Sequence, residues 1–147
     1  PCPLNLSRVI CMRFIDTNIL LYAFGAVEGS GRPETARHIL AGGDLAFSIQ
    51  VFQEFYVQST HSRRKEPLTH DEACAVIETL ASVPLQTNDL AVVRAALIIR
   101  DQWRVSFWVA SILAAARMLG CECVVSEDLS HEQDYGGVIV SNPFLTT

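Results

Sequence analysis

The sequence predicts an α/β fold: one domain built as a three-layer sandwich, with a central, mainly parallel sheet flanked by helices. Three observations carry this. The 147 residues suit one hydrophobic core. Short apolar runs alternate with segments of helical periodicity, the pattern of strands joined by crossover helices. No repeat, low-complexity tract or linker-like stretch divides the chain. Half of the residues are hydrophobic and 18% are charged, a globular composition rather than that of a disordered tail.

Each element has its own signal. Cys11 to Ile15 reads as a first strand ending at Asp16, with Asn18 opening a short helix. Pro33 suits the first turn of a helix carrying Ala36, Ile39 and Leu40, stopped by Gly42 and Gly43. Leu45 to Phe47 is a short strand. Ser48 then caps a helix through Gln58, with Phe52, Phe55 and Tyr56 at helical spacing. Thr69 and Glu72 form a capping box ahead of Ala73, Val76, Ile77 and Leu80. Pro84 ends that segment, and Thr87 caps a helix rich in Leu90, Val93, Leu97 and Ile98. Ser106 caps a further helix that closes at Gly120. Cys121 to Val125 is a strand, Ser126 to Gly137 a polar loop, and Val138 to Val140 a last strand. The domain is expected to fill residues 13–144, after an irregular lead-in over 1–12 and before a tail at 145–147.

A net charge of −5 argues against binding nucleic acid through bulk charge. Any such contact needs a local basic patch, or metal ions that reverse the sign of an acidic pocket. The longest strongly apolar stretch, near Phe107 to Ala116, is short of the ~20 residues a bilayer span requires. The N-terminal residues do not read as a secretory signal. Five cysteines at irregular spacing make no disulfide framework, and Cys121 and Cys123 read as buried thiols. A reducing cytoplasm is the expected location.

In open α/β sheets the chemistry sits beyond the carboxyl ends of the strands. Asp16 and Asp128 fall there in this reading. Each can equally serve as a capping or turn carboxylate. Glu54, among Phe52, Phe55 and Tyr56, can equally be the solvent edge of an amphipathic stripe. If the three converge, their mutual repulsion asks for a positive partner. Mg²⁺ or Mn²⁺, which prefer carboxylate and water oxygens, would supply it and would suit phosphodiester hydrolysis.

The run Phe14-Ile15-Asp16-Thr17-Asn18-Ile19-Leu20-Leu21-Tyr22-Ala23 resembles the opening signature of PIN-domain nucleases, in particular VapC-type toxins of bacterial toxin–antitoxin pairs. The resemblance continues in order through Gln53-Glu54-Phe55-Tyr56-Val57, Ser106-Phe107-Trp108, Ser126-Glu127-Asp128-Leu129 and Asn142-Pro143-Phe144. It implies a metal-dependent endoribonuclease acting on RNA, with Asp16, Glu54 and Asp128 as catalytic metal-binding carboxylates. Asn18 and Ser126 match polar neighbours that hold those carboxylates or a metal-bound water. It also implies a protein antitoxin, whose basic side chain enters the acidic pocket, and a homodimer.

One position departs from the pattern. The family carries an acid, usually Asp, where this chain has Val109. With Ser106 as N-cap, Val109 is the third helical residue, where an acid would complement the helix dipole by ~0.3–1 kcal/mol. Val109 is either a core valine in a helix of different register or the mark of a lost ligand. The second reading implies a nuclease weakened or silenced in this chain, and its alternative is a catalytically inactive PIN domain that binds RNA or an antitoxin.

Other features carry two readings each. His61, Arg63, Arg64 and Lys65 are a solvated loop or a phosphate-steering patch at the lip of the cleft. Trp103, Phe107 and Trp108 are core residues or base-stacking platforms. Asp134 is a turn residue or a substitute for the acid missing at position 109. No histidine pair has zinc spacing, no glycine-rich phosphate loop occurs, and no serine sits on a nucleophile elbow. A receiver-like signalling domain is set aside because no Lys follows Lys65.

Overall fold

The computed structural model describes residues 11–25 and 30–145; the remainder of the expected lead-in and tail lies outside them. The elements in order are β1 (Arg13–Ile15), α1 (Thr17–Phe24), α2 (Arg32–Ala41), β2 (Leu45–Ser48), α3 (Ile49–Ser59), α4 (His70–Leu80), β3 (Leu85–Gln86), α5 (Leu90–Trp103), α6 (Phe107–Met118), β4 (Cys123–Val125) and β5 (Ile139–Ser141). The five strands form one sheet in the order β3-β2-β1-β4-β5, and every pairing is parallel.

Consecutive residues are buried in β2 and β4, which requires cover on both faces of the sheet, as in the three-layer α/β architecture. Phe14, Ile15, Phe47, Leu113, Val124 and Val140 are buried completely. Helix α6 is buried from Ala110 to Ala116 on all sides, so small alanines let it lie close between the sheet and α5. The chain builds outward from β1 to β2 and β3, then returns to lay β4 on the other side of β1. That reversal makes the crevice between the carboxyl ends of β1 and β4 the topological switch point.

Several boundaries move from the sequence reading. The first strand begins at Arg13, where its parallel register against Leu45 and Cys123 starts. Cys121 belongs to the end of α6: Gly120, at φ +74°, and Cys121 donate to the carbonyls of Arg117 and Ala116 in a Schellman closure. The last strand shifts by one residue, since the Val138 carbonyl closes a turn with the Tyr135 amide. Thr87 does not cap α5; Asp89 does, accepting from the Val92 amide at 3.0 Å. Pro84 leads into an unexpected edge strand, β3, its carbonyl accepting from the Phe47 amide. The four apolar residues read in α5, Leu90, Val93, Leu97 and Ile98, face outward, and the core side is Val92, Ala96 and Ile99.

Candidate active site

The site grows from the end of β1. Asp16 is the N-cap of α1, its Oδ1 accepting from the Thr17 amide at 2.7 Å. Its other oxygen accepts from Ser126 Oγ at 2.6 Å, just beyond β4. The Asp16 amide donates to the Val125 carbonyl, so the two strand ends are tied by backbone and side chain together. Asn18, one residue into α1, donates from Nδ2 to Asp128 Oδ2 at 3.0 Å. Longer contacts of 3.4 Å run to Asp16 Oδ2 and Ser126 Oγ. The Asp128 amide donates to Ser126 Oγ at 3.1 Å, which fixes the loop that presents the carboxylate.

Glu54 arrives from the opposite side on α3. Thr17 Oγ1 donates to its Oε2 at 2.8 Å, and Gln50, one helical turn earlier, donates to its Oε1 at 2.9 Å. Both oxygens are therefore oriented by uncharged donors. Asp16, Glu54, Asp128 and Gln50 line a cavity of about 90 Å³ together with the apolar Val109, Trp108, Ile112 and Leu129. Val109 is thus a wall of the acidic cavity. Its amide donates to Ser106 Oγ at 3.2 Å, which establishes the predicted register.

No Lys, Arg or His among the described residues lines this cavity. Burial pushes the Asp16 carboxyl up to about 6, and the charges of Asp128 and Glu54 push the same way, against the hydrogen bonds from Ser126 and Thr17. Asn18 Oδ1 is buried and accepts no hydrogen bond. The donor set is chemically that of a hard divalent cation: carboxylate oxygens, an orphaned amide oxygen and no competing cation. In the present side-chain arrangement, however, no three Asp, Glu, His or Cys among the described residues are gathered closely enough to share one ion. Hydrogen bonds from Thr17 and Gln50 fix Glu54, and one from Asn18 fixes Asp128, so joint ligation requires those side chains to turn from these partners toward the ion.

Residues 13–133 match the PIN domain family. The chain belongs to the PIN domain family. Solved structures of similar fold include a toxin–antitoxin complex from Klebsiella pneumoniae, 18% identical with a TM-score of 0.65 over 90% of this chain and 98% of that one. FitAcB from Neisseria gonorrhoeae is 17% identical with a TM-score of 0.60 over 90% and 98%. VapC20 from Mycobacterium tuberculosis, a sarcin–ricin loop cleaving toxin, is 21% identical with a TM-score of 0.58 over 76% and 86%. No curated protein matches by sequence. At these identities the likeness is one of fold.

Other residues singled out in the sequence lie elsewhere. The Arg64 guanidinium packs against Gly25, the C-cap of α1. That is the far end of a helix about 12 Å long that begins beside Asp16. Arg63 and Lys65 are exposed on the same loop, and none of the three lines the acidic cavity. Asp134 caps its own turn by accepting from the Gly137 amide at 2.7 Å, so it does not replace the missing acid. Glu127 has a structural role: Tyr22 Oη and Arg32 Nη1 each reach one of its oxygens at 2.7 Å. The Arg32 guanidinium also lies over the rings of Tyr22 and Phe144, from the Asn142-Pro143-Phe144 segment.

The sequence reading missed Thr17 and Gln50. Gln50 was discoverable, because it precedes Glu54 by four residues on a helix and must share its face. Trp108, which the sequence leaves as core or base-stacking platform, is 64% exposed and lines the cavity.

Proposed function

We propose that this PIN domain is a divalent-metal-dependent endoribonuclease of the VapC type whose hydrolytic activity is weakened or lost through Val109. The observation that supports it is the arrangement of one cavity. Carboxylates from the end of β1, from α3 and from the loop after β4 line it together with Val109, at the helical position where the family pattern has an acid. Asp16, Glu54 and Asp128 would hold Mg²⁺ or Mn²⁺, with Asn18 Oδ1 as a further oxygen donor. A bound ion would neutralise charge on the scissile phosphate and activate water. Ser126 and Asn18 orient Asp16 and Asp128, while Thr17 and Gln50 orient Glu54. Arg63, Arg64 and Lys65, away from the cavity, would meet the RNA backbone at a distance from the scissile bond.

A protein antitoxin is the proposed partner, in keeping with the toxin–antitoxin assemblies that share the fold. The outward Leu90, Val93, Leu97 and Ile98 of α5 offer apolar surface that a second copy would cover in a homodimer. No helix among the described residues is long and apolar enough to cross a membrane, and the cytoplasm is the proposed location. The second reading, a catalytically inactive PIN domain that still binds RNA or the antitoxin, is favoured by the apolar wall at Val109.

The test is cleavage of RNA by this chain beside its Val109→Asp variant, with Mg²⁺ and with Mn²⁺. The expected result is slow or absent cleavage by the chain and a gain in the variant, abolished by EDTA. Cleavage at equal rates in both, or cleavage insensitive to EDTA, would refute the reading. No cleavage by either, with RNA or antitoxin still bound, selects the inactive-domain alternative.

A further inference from the structure

A second cavity, of about 140 Å³, adjoins the acidic one and shares Gln50 and Trp108 with it. It lies where the first turns of α3, α5 and α6 meet, and its lining includes Phe107, Trp108, Gln50, Gln53 and Asn88. We propose that this cavity is a nucleobase subsite, holding one unstacked base of a single-stranded RNA whose backbone crosses the acidic cavity; the proposal rests on the RNA reading above.

The lining excludes a phosphate. No Lys, Arg or His among the described residues lines the cavity, and Asp89 is part of its lining. Three helix N-termini would ordinarily attract an anion. Here each is capped from within: the Val51 amide donates to Ser48, the Val92 amide to Asp89 and the Val109 amide to Ser106. A flat, neutral, hydrogen-bonding group fits instead. Trp108 and Phe107 meet edge to face at 5.5 Å between ring centroids, and the exposed indole offers a stacking platform. Asn88 Nδ2 donates to Gln53 Oε1 at 3.2 Å. That bond leaves Gln53 Nε2 as a donor and Asn88 Oδ1 as an acceptor, the complementary pair that reads the edge of a base. The volume lies well below the ~300–1,000 Å³ of pockets for drug-sized ligands, which limits the occupant to a single ring system. Sharing Gln50 ties the subsite to the acid site, since Gln50 also orients Glu54.

The experiment measures binding of short unstructured RNA oligonucleotides in Mg²⁺, with the RNA verified intact by gel. One series carries an abasic ribose at each position in turn. In the unmodified chain, an abasic ribose at one position is expected to weaken binding about tenfold. Trp108→Ala should weaken the complete RNA by a similar factor and erase the abasic penalty, whereas Trp108→Phe should retain most of the affinity. Gln53→Ala and Asn88→Ala should change which base is preferred at that position. A thermal melt shows that the variants fold, as substitution at an exposed side chain should allow. Equal binding of abasic and complete RNA overturns the subsite and leaves the RNA reading standing. Failure of every RNA to bind overturns both. A Trp108→Ala variant with unchanged RNA affinity but altered oligomeric state overturns the subsite and assigns the face to a protein partner.

Discussion

Replacing Asp16 with Asn should make the metal-free protein more stable at neutral pH. The Asp16 carboxyl is raised from 3.8 to about 6, chiefly by burial, with the charges of Asp128 and Glu54 adding to it. At ~1.4 kcal/mol per pKa unit, ionising it in place costs about 3 kcal/mol relative to the unfolded chain. The sign follows from proton binding. Between pH 4 and 6 the folded state holds a proton that the unfolded state has released. Stability from Asp16 is therefore complete below pH ~4 and is lost as pH rises through about 6. Asp16→Asn removes this dependence. It keeps an oxygen for the Thr17 amide, but Ser126 Oγ loses its carboxylate acceptor at 2.6 Å, worth about 1 kcal/mol.

The net gain is about 2 kcal/mol at pH 7, which for a chain of this size corresponds to about 4–8 °C in Tm. Thermal and urea unfolding in EDTA at pH 4, 5, 6 and 7 measures it. The wild-type curve should fall relative to the variant across this window, with the two crossing near its acid end. Parallel curves, or a variant less stable at pH 7, would refute the claim that the buried carboxylate destabilises the metal-free fold.

Val109→Asp adds a fourth acid to the same cavity, so Tm in EDTA should fall, while Mg²⁺ should raise Tm more than in the unmodified chain. An affinity gain of at least ~10–100-fold is expected by calorimetry, and an unchanged metal response would show that position 109 does not contact the ion. Asp89→Ala should cost about 1 kcal/mol in urea unfolding by uncapping α5, whereas Thr87→Ala should be nearly neutral. Arg32→Ala should speed amide exchange at Glu127 and Asp128 while leaving global stability little changed, since the pair with Glu127 is partly exposed. If Arg63, Arg64 and Lys65 meet three phosphates, RNA affinity should fall with a log–log salt slope of about −2; a flat response would retire the patch.

Local chemistry made much of the fold legible. The Thr69–Glu72 capping box, the Ser48 and Ser106 caps and the Gly120 closure are decided by residues within a turn of each other, and all form as read. What the sequence hid depends on distant partners. A two-residue strand such as β3 has no periodicity of its own and exists because β2 needs a neighbour. Which side of α5 is core is decided by α6, and the helix carries apolar residues on more than one side. In the site, the shared cavity of Asp16, Glu54 and Asp128 was expected, as was Val109 beside them. Thr17 was overlooked because it lies between two residues already assigned roles, and its reach across to α3 is visible only in three dimensions.

The acids of this cavity are held in a particular way. Thr17, Asn18, Gln50 and Ser126 orient them without cancelling their charge. Adjacent residues show the contrast: Glu127 is neutralised by Arg32, while Asp128 is held only by an amide. Neutral donors leave the electrostatic debt standing, visible in the raised Asp16 carboxyl and in the unpartnered Asn18 Oδ1. Val109 lessens that debt by replacing the family's acid with a methyl surface, the direction in which stability rises while the pull on a cation falls. Adding the fourth acid by Val109→Asp reverses both effects, so its stability in EDTA and its response to Mg²⁺ must move in opposite directions.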